Sequence, residues 1–273
     1  MREHHIAFIG GGNMATAMVS GLLKQGFPAT QIDVVEPFAE ARERLQSHLG
    51  ITAQPEGGPF LNGASIVIWA VKPQSFKEAA LQSRILTCDA LHISVAAGIS
   101  SDSIAKWLRN ERVIRTMPNT PALIGKGMTG LFARPAVTGA DRQYAESIVS
   151  GMGQFLWLAE EGQLDAVTAI SGSGPAYMFY FMEAMTAAGA DMGLDREQAY
   201  RLAIATFIGA GELAQSSHEP PEILRQRVTS KGGTTSAAIT SMDDSHIKDL
   251  FAKALHAAHR RAQEMGAEFG EVS

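Results

Sequence analysis

The stretch "IAFIGGGNMATAM", Ile6 to Met18, constrains this chain more than any other. A short run of strand formers passes straight into three glycines and then into good helix formers. Gly10, Gly12 and Ala15 stand at the spacing G-x-G-x-x-A. Gly10 is expected to make the tight turn out of the strand. Gly12 lets the backbone approach a pyrophosphate, and Ala15 lets the helix pack closely on the strand. The helix N-terminus adds N–H groups and a partial positive charge, which suit a phosphate. A glycine triple alone fits many purely structural turns. Its meaning here comes from its place between strand and helix, and from an acid about 20 residues further on. That acid is Glu36 in "DVVEP". It can accept hydrogen bonds from both adenine-ribose hydroxyls and would repel a 2′-phosphate, which favours NADH over NADPH. Arg42 and Arg44 follow in the next helical segment, where plain solvation is the alternative role.

The pattern after the turn extends the same logic. Apolar β-rich runs recur at "IDVVEP", "SIVIWAVKP", "ALHISVAAG" and "RVIRTMPN", separated by helix-period segments. Strand–helix alternation with near-continuous apolar strands predicts a mainly parallel sheet covered on both faces, an α/β Rossmann-like domain. Two more strand candidates, "TGLFARP" and "GQFLWLA", flank the helical "GADRQYAESIVSGMG". After Gln163 the strand signal disappears and the rest reads as helix. The expected division is a dinucleotide-binding domain over 1–162 and an all-α domain over 163–273. The final segment, "TSAAITSMDDSHIKDLFAKALHAAHRRAQEMG", reads as one long helical stretch.

Composition narrows the function. The net charge of −5, with no long block of one sign, argues against a nucleic-acid partner. A single cysteine, Cys88, excludes an intrachain disulfide and suits a reducing cytoplasm. The opening residues do not read as a signal peptide. "PAYMFYFMEAMTAAGA" is too short to span a bilayer and is interrupted by Glu183, so it is expected in a core or subunit interface.

The carboxyl ends of the strands form the ligand crevice of such a sheet. Ala70, Val71, Lys72 and Pro73 in "AVKPQ" lie at that edge, with Pro73 fixing the turn. Ala96 and Ala97 in "SVAAG" lie there too, as does Asn119 in "RTMPNTP", whose amide is available to a ligand unless it serves the loop. In the helical half, Ser171–Pro175 breaks a helical run with small residues that permit close backbone approach. "TSKGGTTSAA", Thr229 to Ala238, places a flexible turn at the mouth of a helix. The N–H groups of Gly232, Gly233, Thr234 and Thr235 there suit a carboxylate, while the threonine hydroxyls offer helix capping as the alternative. No Ser-His-Asp or metal-ligand constellation is visible. His256 and His259 read as surface residues.

These segments together resemble the pyrroline-5-carboxylate reductase family. "FIGGGNMA", "AVKPQ", "RTMPNTP", "AISGSGPAY" and "PEILRQRVTSKGGTTSAAITSMD" carry the resemblance from residue 8 to 243, and the last is the most specific. It implies NAD(P)H-dependent reduction of 1-pyrroline-5-carboxylate to L-proline, the last step of proline biosynthesis. It implies a homo-oligomer, a dimer interlocked through the helical domain and often assembled as a decamer of five dimers; the cytoplasmic expectation rests on the cysteine count. It places cofactor contacts on Gly10, Gly12, Asn13, Met14, Ala15, Lys72, Pro73, Ala96, Ala97 and Asn119. It places the substrate loop on Ser230 to Thr235, with Thr235 at the imine nitrogen. Lys231 departs from the proline expected there, and Glu36 departs from relatives suited to NADPH. Two rivals stand beside this reading. A β-hydroxyacid-type dehydrogenase would need a catalytic lysine that "ISGSGPAY" lacks, and a non-catalytic dinucleotide sensor would not need the loop.

Overall fold

The computed structural model describes residues 4–270, and the chain divides into two compact units. One runs to Ser173 and is rejoined by the chain from Ala258; the other is Gly174–Ala257.

The first unit is built on β1 (Ile6–Ile9), β2 (Ile32–Val35), β3 (Ile66–Trp69), β4 (Leu91–Ser94), β5 (Val113–Met117), β6 (Gly127–Ala133) and β7 (Gly153–Trp157). They form one sheet in the order β2-β1-β3-β4-β5-β6-β7. All neighbours pair in parallel except β5 and β6. The exception has a simple cause. Only a short loop with a 3₁₀ turn at Thr120–Ile124 joins those strands. A parallel return needs a crossover of about a dozen residues or more, so the chain doubles back.

Helices α1 (Asn13–Lys24), α2 (Ala39–Leu49), α3 (Pro73–Ser83), α4 (Ser101–Leu108) and α5 (Gly139–Ser150) occupy the segments where the helical period was read. Alternate residues of a strand face opposite sides. Ile6 and Phe8 accordingly join one buried cluster with Met18, Leu22 and Ile148, while Ala7 and Ile9 join another with Phe76, Ile104 and Trp107. Two filled faces explain why β1 and β3 are apolar along their whole length and why β4 is buried throughout.

Helix α6 (Gln163–Val167) passes into a π-helical turn at Thr168–Gly172, so the predicted break at Ser171–Pro175 is a widened turn. The second unit holds α7 (Gly174–Asp191), α8 (Arg196–Ser216), α9 (Pro221–Arg227), α10 (Thr234–Asp244) and the start of α11 (Ile247–Gly270). Asp195 caps α8 and Gln198 completes the capping box. A Cβ on Gly189 would stand 2.7 Å from that of Ala199, so α7 and α8 meet at small residues. Little else is buried in this unit, and Phe179, Tyr180, Met192, Leu202, Ile208 and Leu213 are exposed. The long final helix read from the sequence is two: His246 takes a left-handed φ of 53° between α10 and α11. Helix-period residues run through "SMDDSHI", but Asp and Ser are weak helix-interior residues because such side chains can bond neighbouring backbone groups. Among the described residues no helix is long and apolar enough to cross a membrane.

Candidate active site

The strand order reverses between β1 and β3, since β2 and β3 lie on opposite sides of β1. A crevice forms at such a point, outside the carboxyl ends of the strands. The glycine turn sits in it, and each glycine has a different reason to be there. Gly10 has φ 99°, donates its N–H to the Val35 carbonyl at 2.8 Å, and leaves no room for a side chain. A Cβ would lie 2.5 Å from the Ala70 oxygen. Gly11 packs under Leu45 and donates to the Glu36 carboxylate at 2.7 Å. Gly12 caps α1 in extended conformation, and a Cβ there would meet nothing within 4 Å. Its bare side faces open space at a helix N-terminus that carries no side-chain cap and no acid in its first turn. Ala15 is fully buried, Asn13 is exposed and Met14 half-buried.

The crevice is a cavity of about 820 Å³, with Gly10, Gly12, Glu36, Arg44 and Lys72 in its walls. Glu36 directly follows β2, is 6% exposed, and accepts from the N–H groups of Gly11 and Phe38, the latter at 2.9 Å. A carboxylate has about four acceptor positions, so two are left for a ligand. Arg42 is committed to backbone, donating to the carbonyls of Glu36 at 2.9 Å and Pro37 at 2.7 Å. Arg44 is exposed and lines the cavity. The two arginines that look alike in sequence are therefore separated in role.

Ala70 and Val71 also line the cavity, Lys72 precedes α3, and Pro73 is the first residue of α3. Ala96 and Ala97 follow β4, and the Ala96 N–H donates to Ser94 Oγ at 3.2 Å. Neither is among the residues around the cavity. Asn119 follows β5, and both ends of its amide serve the loop: Oδ1 accepts from the Met128 N–H at 2.9 Å and Nδ2 donates to the Ser171 carbonyl at 3.1 Å. Beside it, Arg115 pairs with Glu161 at 2.7 Å, and Glu161 also accepts from the Ser101 N–H at 2.6 Å. Among the described residues no group of acidic, histidine or cysteine side chains is placed to hold a metal ion.

The other candidate loop belongs to the second unit. Gly232 takes φ 73°, and the Gly233 N–H donates to the Ser230 carbonyl at 3.1 Å. A Cβ on Gly233 would stand 2.5 Å from Ser230 Oγ. Gly233 is the N-cap of α10, so no side chain caps that helix. The hydroxyls of Thr234 and Thr235 do not take the capping role that the sequence left open. Thr235 is half-buried, while Ser230, Lys231, Gly232 and Thr234 are exposed.

Phe38 and Ser75 also line the cavity, and sequence reasoning did not single them out for it. An aromatic after a strand-end acid looks like any core residue, so nothing local marks it.

Comparison with known proteins bears on both units. The family described as "Pyrroline-5-carboxylate reductase dimerisation" matches residues 161–265, and "NADP oxidoreductase coenzyme F420-dependent" matches residues 5–98. A pyrroline-5-carboxylate reductase of Pseudomonas aeruginosa is 43% identical over 99% of this chain and 100% of its own length. One from Haemophilus influenzae is 41% identical over 98% of this chain and 100% of its own. Among solved structures, a pyrroline-5-carboxylate reductase from Coxiella burnetii superposes with a TM-score of 0.90 at 36% identity, covering 98% of this chain and 99% of that one. A Plasmodium falciparum pyrroline carboxylate reductase with NADP bound gives 0.87 at 25% identity, covering 97% and 99%.

Proposed function

The chain belongs to the pyrroline-5-carboxylate reductase family, and from that premise we infer how its residues divide the work. It is an oxidoreductase that reduces L-1-pyrroline-5-carboxylate to L-proline with NAD(P)H in proline biosynthesis. When bound, the dinucleotide supplies a hydride for the C=N bond.

The observation that carries the cofactor reading is Gly12. It leaves an uncapped helix N-terminus open on the side where a Cβ would meet nothing within 4 Å. A pyrophosphate fits there because the first-turn N–H groups and the helix dipole favour an anion. Glu36 takes the adenine-ribose hydroxyls with its two remaining acceptor positions, Lys72 borders the crevice, and Pro73 fixes the turn behind it. A carboxylate at Glu36 opposes a 2′-phosphate, so we assign a preference for NADH. Ala70 and Val71 supply backbone and small side chains in the crevice wall, Asn13 and Met14 supply first-turn N–H groups of α1, and Ala96 and Ala97 extend the same sheet edge beyond the cavity. Asn119 borders the ligand and braces its loop.

The Ser230–Thr235 loop receives the substrate. What supports this is the glycine N-cap of α10, which leaves the first-turn N–H groups without a side-chain partner. The substrate carboxylate takes that place. The Thr235 hydroxyl hydrogen-bonds the ring nitrogen and orients the ring. A protonated imine accepts hydride far more readily than a neutral one, and a threonine hydroxyl is too weak an acid to supply that proton alone. The chain therefore contributes mainly by positioning, which removes much of the entropic cost of bringing two reactants together.

The protein is a homo-oligomer. The assembly unit proposed is a dimer formed by the helical domain, five of which close a decamer, in the cytoplasm. The exposed apolar residues of α7 and α8 support a partner on that unit. The test is a purified-enzyme assay of pyrroline-5-carboxylate-dependent NADH and NADPH oxidation, with proline measured directly. Absence of proline with both cofactors refutes the activity. A strong NADPH preference in kcat/KM refutes the role given to Glu36 and leaves the activity standing.

A further inference from the structure

We propose that Phe38 is the adenine platform of the dinucleotide crevice, an inference that rests on reading this crevice as the dinucleotide site. Phe38 is 74% exposed, and it is the one exposed aromatic side chain of the first unit among the described residues. It lines the same cavity as Gly12 and Glu36. Its backbone, by contrast, is tightly held. The Phe38 N–H donates to Glu36 Oε1 at 2.9 Å, and the Phe38 carbonyl accepts from the N–H groups of Ala41 and Arg42, both at 3.1 Å. Arg42 straps the two preceding carbonyls from its guanidinium. A ring presented to solvent from a rigid turn meets a flat ligand with little entropy left to lose.

The order of groups along the crevice fits one ligand. Gly12 suits a pyrophosphate and Glu36 suits a ribose. The group beyond the ribose in a dinucleotide is the base, and Phe38 lies two residues beyond Glu36 on the same turn. Adenine offers a face for stacking, and stacking needs no donor or acceptor on the protein. Pro37, Ala39 and Ala41 on the same wall add small apolar surface beside the ring, and the charges of Glu40 and Arg44 flank it.

The experiment divides the ligand in two. ADP-ribose carries the adenine half, and reduced nicotinamide mononucleotide carries the other. Their affinities for the full chain and for Phe38→Ala are measured by calorimetry, with thermal unfolding as a check on folding. ADP-ribose is expected to bind Phe38→Ala roughly fivefold to tenfold more weakly, and Phe38→Tyr to bind it within about twofold of the parent. The mononucleotide is expected to bind the parent and Phe38→Ala alike. ADP-ribose affinity unchanged in Phe38→Ala overturns the proposal, as does an equal loss for both halves. If the parent binds neither half, the dinucleotide reading of the crevice falls and takes the proposal with it.

Discussion

Gly10 and Gly12 are two residues apart, yet alanine at each should do opposite things. At Gly10 the backbone φ of 99° lies where L side chains are strained. That alone costs about 1–3 kcal/mol. The added Cβ would also stand 2.5 Å from the Ala70 oxygen and 2.7 Å from its carbon, both backbone atoms of the adjoining strand end. Relief requires β1 and β3 to part where Ala70 donates to the Ile9 carbonyl at 2.8 Å. A total of roughly 3 kcal/mol or more follows, since overpacking adds about 1–3 kcal/mol. At Gly12 the φ of −71° suits alanine, and the Cβ meets nothing within 4 Å. Losing a glycine N-cap costs about 0.5 kcal/mol, and the lower entropy of the unfolded chain returns about as much. Gly12→Ala should therefore unfold near the parent temperature. Gly10→Ala should unfold several degrees lower, at about 2–4 °C per kcal/mol for a domain of this size. Binding should divide the other way for Gly12→Ala, whose methyl stands where the pyrophosphate must approach. NADH affinity should fall tenfold or more, about 1.4 kcal/mol. The assays are thermal unfolding without ligand and calorimetric titration with NADH. Equal destabilisation of the two variants, or parental NADH affinity in a well-folded Gly12→Ala, would refute the reasoning.

Three further outcomes are expected. Thr235→Ala should lower turnover by about tenfold or more, as loss of one positioning contact does, with NADH affinity by titration unaltered; a loss of NADH binding would contradict the separation of roles. His92 is 1% exposed, its Nδ1 accepts from the Trp69 indole at 3.1 Å, and burial pushes its pKa from 6.5 down to about 3. The unfolded chain takes up a proton at this site below pH 6.5 and the native chain does not, so stability should fall by about 1.4 kcal/mol per pH unit as pH drops towards 3. Denaturant titrations between pH 6.5 and 5 should show a flatter slope in His92→Asn, and an identical slope would remove His92 from the account. Glu161→Ala should cost about 2–3 kcal/mol in urea unfolding, because the Arg115 guanidinium, with 10% of its side chain exposed, loses its carboxylate and the Ser101 N–H loses its acceptor; a change under about 0.5 kcal/mol would mean water replaces both contacts.

The sequence by itself determined the features that depend on neighbours in the chain. Strand formers and helix formers alternate because each element must present apolar residues at its own period, and that period is local. The glycine turn was legible for the same reason: backbone freedom at Gly10 and Gly12 is written in the absence of a side chain. The loop at Gly232 and Gly233 was legible as a flexible turn at a helix mouth, but whether its threonines cap that helix was left open until the structure showed no side-chain cap there.

What only the tertiary structure decided involves groups distant in sequence, or side-chain directions that no local period encodes. Glu36 locks Gly11, which stands on another strand end, and keeps two acceptor positions in doing so. Arg42 turns back to the backbone while Arg44 faces the cavity, a difference set by where α2 packs. Asn119 commits its amide to Met128 and Ser171. Phe38 is bare although its residue type usually seeks burial, because the turn that holds it points outward at the rim of the crevice. Periodicity tells which residues share a face. What lies across from that face depends on long-range packing, and there the roles of these side chains were set.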